Sequence, residues 1–367
     1  MNIYVTSEQI GLQGYWITDI LAGINKEALK KNLNVTDYAG EDLELNDEFT
    51  RPIVLAVGYS SKWMESICNQ MRSYGVQPVL VNAGQDTYTE TLDSVGFVSF
   101  GYKKAMHRVI HYLSSNKRNR IAFFGAHGDT HSDSVKVTEF LNACDYFKLF
   151  CSKADVYGGN SLKECAEELK MNLAKYNAVV CSSDAAAIFL IKQFEEIGIK
   201  VPEDVFVVGF GNSQVAAAIT PSVTSVDCNY VELGRQAVKL HQFLQKNGDT
   251  DSASISVDCR FIERASTGFI KSRRMLVKSR HDGNMPLYDA DPDVMKVLQA
   301  EELLRMWDDI DRSIIDGLLQ DKTIVAIAEG LFISVSAVKY RIKKMLTATN
   351  LQNKDDLVSV IKKYNVL

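Results

Sequence analysis

The sequence predicts an α/β architecture of two doubly wound subdomains followed by a small all-α unit, and three observations carry that reading. From residue 3 to about 250, short β-branched runs alternate with amphipathic helical patterns, the rhythm of parallel sheets covered by helices on both faces. A stretch of that length is long for one such sheet and comfortable for two. The chain then changes character. From Ser334 onward seven Lys/Arg stand against two Asp, a net of +5 in a chain whose total is −5.

Strand-like segments run over Ile3–Thr6, Asn34–Tyr38, Ile53–Val57, Pro78–Asn82, Ile121–Phe124, Ala178–Cys181 and Val205–Phe210. Helical spacing joins Ile17, Ile20, Leu21, Ile24 and Ala28, then Met106, Val109, Ile110 and Leu113, then Leu162, Cys165, Ala166, Leu169 and Leu173. Phe194 and Ile197 close a further helix, capped by Gly198, and Leu233, Ala237, Leu240 and Leu244 mark the last of this part. Between Gly268 and Met306 the rhythm breaks, with a basic cluster (Lys271, Arg273, Arg274, Lys278, Arg280) and a turn-rich stretch, His281–Pro286. Asp291, Pro292 and Asp293 then supply a cap, a first-turn proline and a first-turn acid, predicting a connecting helix over 292 to about 306. Its stripe of Val294, Val297, Leu298 and Leu304 is interrupted by Glu301, which argues against a long coiled coil. The basic cluster reads as a solvated connector, with contact to DNA phosphate as the alternative.

Composition excludes several classes. Nearly half the residues are apolar and about a quarter charged, the balance of a soluble globular protein. No apolar run approaches the roughly 18 residues of a membrane span. The first residues, Met1–Ser7, read as a strand and not as a signal peptide, so a cytoplasmic location is expected. Seven scattered cysteines without a Cys-x-x-Cys suit a reducing compartment with free thiols. His107 and His111, and likewise His127 and His131, are spaced four apart but lack the glutamate of a zinc hydrolase. There is no Gly-x-Ser-x-Gly and no phosphate-binding Gly-x-x-x-x-Gly-Lys, and Gly209–Gly211 lacks the third glycine of a dinucleotide loop. The expectation is a protein that is not an enzyme, with no catalytic residues, no cofactor, no metal and no membrane partner.

The terminal basic segment is the most specific functional signal. Val338, Ile342, Met345 and Leu346 share one helical face and need a core. Ser336, Tyr340, Lys343, Lys344 and Thr347 share the opposite face, flanked by Lys339 and Arg341. Positive charge of this density neutralises phosphate, the main source of nucleic-acid affinity. Ser336, Lys339, Tyr340, Arg341, Lys343 and Lys344 are therefore the candidate contacts to double-stranded DNA. The plain alternative is a solvated helix face with one exposed aromatic.

Residues 178–240 contain Val180–Asp184 (Val-Cys-Ser-Ser-Asp), Gly198–Asp204 (Gly-Ile-Lys-Val-Pro-Glu-Asp), Val207–Ser213 (Val-Val-Gly-Phe-Gly-Asn-Ser), Thr220–Val226 (Thr-Pro-Ser-Val-Thr-Ser-Val) and Glu232–Val238 (Glu-Leu-Gly-Arg-Gln-Ala-Val). This ordered run resembles the effector-binding part of the lactose-repressor (LacI/GalR) family, over roughly residues 3–266. The resemblance implies a periplasmic-binding-protein-like (type I) fold, 1–267, with a ligand cleft between two subdomains joined by crossovers near 117–121, 222–226 and 248–254. One subdomain would comprise about 1–117 and 224–249, the other about 118–223 and 250–267, with 268–306 as linker and connecting helix. That family usually carries its DNA-binding helices at the N-terminus, whereas here Met1 leads straight into a strand.

Residues 307–367 look like a LuxR-type helix-turn-helix module, on Ile327–Ser334 (Ile-Ala-Glu-Gly-Leu-Phe-Ile-Ser), Ala337–Leu346 (Ala-Val-Lys-Tyr-Arg-Ile-Lys-Lys-Met-Leu) and Asn353–Leu357. By that resemblance Lys339, Tyr340 and Lys343 face the bases. Ile324 and Val325 stand where the family usually has polar residues, and Gly330 falls inside the first helix of the motif at a cost of about 1 kcal/mol against alanine.

The two resemblances together imply a homodimeric transcription regulator whose cleft senses a small polar effector, such as a carbohydrate. Cleft candidates at strand ends are Gln9, Trp16, His127, Ser132, Lys136, Tyr157, Asp184 and Asn212. Each also has a bland reading, with Trp16 as core, Asp184 as a helix cap and Lys136 as a solvated helix residue. The cleft departs from the family, since Gly211 and Asn212 follow the Val-Val-Gly-aromatic strand where many members hold sugars with an Asp, and Lys136 replaces a forked Arg. An occluded cleft serving as a dimerisation platform is one alternative, and a solute-binding or scaffold protein that does not bind DNA is another.

Overall fold

The computed structural model describes residues 2–8, 15–38, 53–58, 60–82, 95–128, 130–248, 250, 252–268 and 292–364. The first part runs β1 (Asn2–Ser7), α1 (Tyr15–Lys30), β2 (Asn34–Asp37), β3 (Ile53–Val57), α2 (Ser61–Ser73), β4 (Gln77–Val81), β5 (Gly96–Phe100) and α3 (Tyr102–Ser115). The second runs β6 (Ile121–Ala126), α4 (His131–Tyr146), β7 (Val156–Gly158), α5 (Leu162–Met171), β8 (Ala178–Cys181), α6 (Asp184–Glu196), β9 (Phe206–Phe210), α7 (Gln214–Ala218) and β10 (Thr224–Asp227). Then follow α8 (Tyr230–Lys246), β11 (Ala253–Val257) and β12 (Arg260–Ile262). The helical end comprises α9 (Pro292–Met306), α10 (Asp309–Leu319), α11 (Ile324–Gly330), α12 (Val335–Thr349) and α13 (Lys354–Tyr364).

Two six-stranded sheets result, ordered β11-β5-β4-β3-β1-β2 and β12-β10-β9-β8-β6-β7. All pairings are parallel except β10 with β12. The central strands Ile-Val-Leu-Ala-Val, Gln-Pro-Val-Leu-Val, Ala-Val-Val-Cys and Phe-Val-Val-Gly-Phe are buried throughout, because helices cover both faces and no side chain can turn to water. Serine caps at Ser60, Ser161, Ser183 and Ser213 start α2, α5, α6 and α7, each accepting a backbone N–H of the first turn.

The chain passes between the sheets three times. The first passage, between α3 and β6, falls where the sequence places it. The other two lie later than expected. β10 (Thr224–Asp227) belongs to the second sheet, paired with β9, and the crossover follows it at Cys228 and Asn229. β11 belongs to the first sheet, with Ala253–Val257 paired along Gly96–Phe100, so the last crossover is at Asp258 and Cys259. The expected division at 224 and 250 is corrected accordingly. Polar anchors decide the matter: Thr224 N donates to Ser266 Oγ at 2.8 Å, and the Arg260 guanidinium holds the buried Asp227 carboxylate at 2.5 Å.

α1 and α8 cross at two glycines. A Cβ on Gly23 would run into the Val231 carbonyl, and one on Gly234 into the Ile20 carbonyl. Beside the crossing Arg235 Nε meets Glu27 at 3.0 Å and Arg235 Nη1 meets Glu232 at 2.7 Å. Further along α8, burial holds the His241 imidazole down at about 4, against an ordinary value of 6.5.

Gly234→Ala is expected to force the helices apart and destabilise the protein by about 1–3 kcal/mol or more, read as a fall in urea midpoint with the fold retained. A second expectation concerns pH. The unfolded chain protonates His241 near 6.5 and the folded chain only near 4, so its contribution is fully present at neutral pH and is lost as pH falls through that window, by up to about 3 kcal/mol. His241→Leu should flatten the stability profile between those two pH values; an unchanged slope in urea titrations would reject the assignment.

Candidate functional site

The carboxyl ends of the two sheets face each other, and an isolated antiparallel bridge joins Ser60, after β3, to Thr130, after β6. Ser60 N also donates to Glu8 Oε2 at 3.1 Å. Between these edges runs a seam of aromatic rings. Trp16 lies 5.9 Å from Tyr230, Tyr230 packs edge-on against Phe100 at 5.1 Å, Phe100 meets Tyr102 at 5.9 Å, and Tyr102 meets Phe210 at 6.3 Å. All five residues are buried, the first four on the first subdomain and Phe210 on the second.

Lys136 closes the seam. The residue is 0% exposed, its ammonium bonds Asp133 Oδ1 at 3.1 Å and the Ser182 carbonyl at 2.8 Å, and it lies 5.2 Å from the Tyr102 ring and 5.5 Å from that of Phe210. Asp133 in turn accepts from His127 N at 3.1 Å, which fixes the loop between β6 and α4. The solvated reading of Lys136 is overturned. His127 is buried in that loop and Ser132 in the first turn of α4.

Asp184 is not the cap of α6, a role held by Ser183. Its carboxylate accepts from Ser225 Oγ and from Ser213 N, each at 2.6 Å, and it sits against Gly209, where a Cβ would collide with it. Burial raises its pKa, and the Ser225 and Ser213 donors oppose that rise. Asn212 N donates to Ser225 Oγ at 2.9 Å, and its side-chain oxygen accepts from Arg264. Trp16 is fully buried in the seam, as its core reading expects. Tyr157 departs from the cleft: its hydroxyl bonds that of Tyr176 at 2.9 Å, at the start of β8 and so at the far end of the sheet. Gln9 lies outside the described residues, as do the basic residues 271–280.

Sequence reasoning missed Tyr102, Phe100, Tyr230 and Asn82. The signal was an aromatic or amide at or just after a strand end, Asn82 after β4, Phe100 and Tyr102 at β5, and Tyr230 after β10. Among the described residues, the Tyr102 hydroxyl and both amide atoms of Asn82 are buried without a hydrogen-bond partner, and burial pushes the Tyr102 pKa well above its ordinary value.

At the other end, α10 to α13 form a compact four-helix unit. Ser334 caps α12 by accepting from Ala337 N at 3.1 Å, and Val338, Ile342, Met345 and Thr349 form its buried face. Ser336, Lys339, Tyr340, Lys343 and Lys344 are exposed, Tyr340 at 69%. Phe332, in the turn between α11 and α12 with φ 55°, is 96% exposed. Arg341 points elsewhere, pairing with Asp308 at 2.8 Å and Asp311 at 2.7 Å. It braces the start of α10, which corrects its place among the exposed contacts. Gly330 ends α11, where the absence of a side chain matters less than it would inside the helix.

Lys136→Ala is expected to strip a buried carboxylate of its partner and cost about 3–5 kcal/mol of stability, visible as a large fall in melting temperature. A melting temperature within a degree or two of the parent would show that the pair is structurally idle.

Residues 110–267 match the periplasmic binding protein-like domain. Among curated proteins, the NTD biosynthesis operon regulator NtdR of Bacillus subtilis (strain 168) is 36% identical over 92 residues, 25% of this chain and 28% of that protein. Catabolite control protein A of Staphylococcus epidermidis is 23% identical over 221 residues, 59% of this chain and 64% of that protein. The chain thus spans between about a quarter and two thirds of these relatives. Among solved structures, the complex of the transcriptional regulator CelR with cellobiose superposes with a TM-score of 0.61 at 17% identity, covering 72% of this chain and 84% of that one. That likeness is one of fold. With the two sheets, the three crossovers and the match over 110–267 in hand, the body of this chain has a two-sheet periplasmic-binding-protein-like fold, a fold it shares with solved LacI-type regulators.

Proposed function

We propose that this chain is a DNA-binding transcription regulator in which the terminal helices read DNA as a LuxR-type helix-turn-helix and the two-sheet body governs them in response to a small polar molecule such as a sugar. The observation that carries the reading is the exposed face of α12, where Lys339, Tyr340, Lys343 and Lys344 stand clear of the body while Val338, Ile342 and Met345 are buried. In the groove, Lys339, Tyr340 and Lys343 meet base edges, and Ser336 and Lys344 meet the flanking backbone. A homodimer would present two such units to half-sites about 34 Å apart.

Ligand sensing is supported by Asn82 and Tyr102, whose buried polar atoms lack partners among the described residues at the cleft ends of β4 and β5. Native proteins rarely leave such atoms unserved, and a hydroxyl-rich ligand would serve them. A second reading, a closed cleft acting as a dimerisation platform, draws on the seam itself, which Lys136 and five aromatic rings fill.

Binding to the chain's own promoter region, titrated with salt, tests the first part: affinity should fall by orders of magnitude as salt rises. Lys343→Ala should cost about 1–3 kcal/mol on the specific site and much less on random DNA; equal losses would make Lys343 a phosphate contact. For the cleft, a thermal-shift screen of sugars and small polar metabolites separates the two readings, because a bound ligand raises the melting temperature. Tyr102→Phe should retain the fold and blunt that rise. A full screen without any rise favours the closed platform.

A further inference from the structure

Glu301 interrupts the apolar face of α9, yet it is only 2% exposed. Its carboxylate accepts two backbone hydrogen bonds, from Gln214 N at 3.1 Å and Val215 N at 2.8 Å. These residues open α7, directly after the segment Asn212–Ser213 that Arg264 and Asp184 hold at the cleft floor. One turn further along α9, Arg305 pairs with Asp19 of α1 at 3.1 Å, both side chains largely shielded. α7 belongs to the second subdomain and α1 to the first. α9 also meets the terminal unit: Gln299 Nε2 donates to the Thr349 carbonyl at 3.2 Å, Lys363 pairs with Asp293 at 2.5 Å, and the Tyr364 hydroxyl donates to the Asp293 carbonyl at 3.0 Å. A single helix of 15 residues therefore touches both halves of the cleft and two helices of the terminal unit.

We propose that α9 is a two-point gauge of cleft geometry, with Glu301 and Arg305 as positioning residues that set the stance of the terminal helices. The two residues are about 6 Å apart along a rigid helix. When the subdomains rotate, α9 cannot keep both grips without tilting. The Glu301 grip is the anchor, because a carboxylate this buried cannot give up its donors cheaply. The Arg305–Asp19 pair is the more accessible of the two and is the grip that yields. Cleft motion then becomes a change in the tilt of α9, which Asp293, Gln299 and their partners on α12 and α13 must follow. The proposal deepens the regulator reading and rests on it only for the DNA readout.

The test is a double-mutant cycle on the full chain. Ser225→Ala loosens the cleft floor at Asp184 and Asn212, and Glu301→Gln removes the charged anchor while keeping the side-chain shape. DNA affinity at fixed salt and hydrogen exchange over residues 335–364 are both read. Ser225→Ala alone should shift DNA affinity roughly fivefold or more and alter exchange in the terminal helices. With Glu301→Gln present, both effects should shrink below about twofold. Equal effects of Ser225→Ala in both backgrounds, or none in the parent, overturn the proposal. If the parent binds no DNA, the regulator reading fails while the exchange arm still decides this one. Arg305→Gln gives an independent arm should Glu301→Gln fold poorly: exchange should rise in α1 near Asp19 and across α12 and α13, with α7 still protected. A rise confined to α1 counts against the gauge.

Discussion

The cleft side of the second sheet depends on a carboxylate removed from solvent. Asp184 stands at the start of α6, takes donors from Ser213 before α7 and from Ser225 on β10, and rests against Gly209 of β9. Buried charge of this kind is tolerated only when each lone pair finds a donor, so four elements are held to one geometry. Lys136 and Asp133 repeat the device one strand away, tying the loop after β6 to the Ser182 carbonyl at the end of β8. A desolvated network of this sort is intolerant of small displacements. Groups that a sequence reader would assign to a ligand are thereby engaged with one another.

The terminal unit follows a different logic. Its helices are short and locally capped, by Asp308, Thr323 and Ser334, and its core is drawn from within itself and from α9. Arg341 bridges α12 to the capping carboxylates of α10, and so spends its charge on internal alignment. The backbone N–H of Asp311, together with Arg341, holds the Asp308 carboxyl below its ordinary range. What remains outward on α12 is lysine and tyrosine, a face kept in register by the buried Val338, Ile342 and Met345.

Much of this was legible in the residues. The β-branched runs and the 3.6-residue stripes marked the central strands and helices, and Asp291, Pro292 and Asp293 marked the connecting helix that spans Pro292–Met306. The interrupting Glu301 was visible too, though the backbone amides of Gln214 and Val215 that it engages, nearly ninety residues earlier, were not. Sheet membership of β10 and β11 was illegible, because Thr224–Val226 and Ser254–Ser256 have the same alternating character and differ only in which neighbour they hydrogen-bond. Lys136 misled for a related reason: a lysine on a helix signals solvent unless a carboxylate and a carbonyl happen to converge on it. Tyr157 sat at a strand end as expected, but Tyr176 draws its hydroxyl to the opposite edge. Arg341 flanked the cationic face on the helical wheel and was set apart from it only by Asp308 and Asp311.

The threefold passage of the chain between the sheets also governs the order in which the protein can be made. The first sheet lacks its edge strand until Ala253–Val257 has emerged from the ribosome, and the second lacks its own until Arg260–Ile262 has followed. Neither half can close alone while the nascent polypeptide is still growing through α8. Both are completed almost together, once β11 and β12 have been made. The helices from Asp309 onward close over short sequence separations, and local contacts of that kind form quickly. These helices, made after both sheets, are thus among the first able to reach their final shape, as soon as α9 offers them a surface.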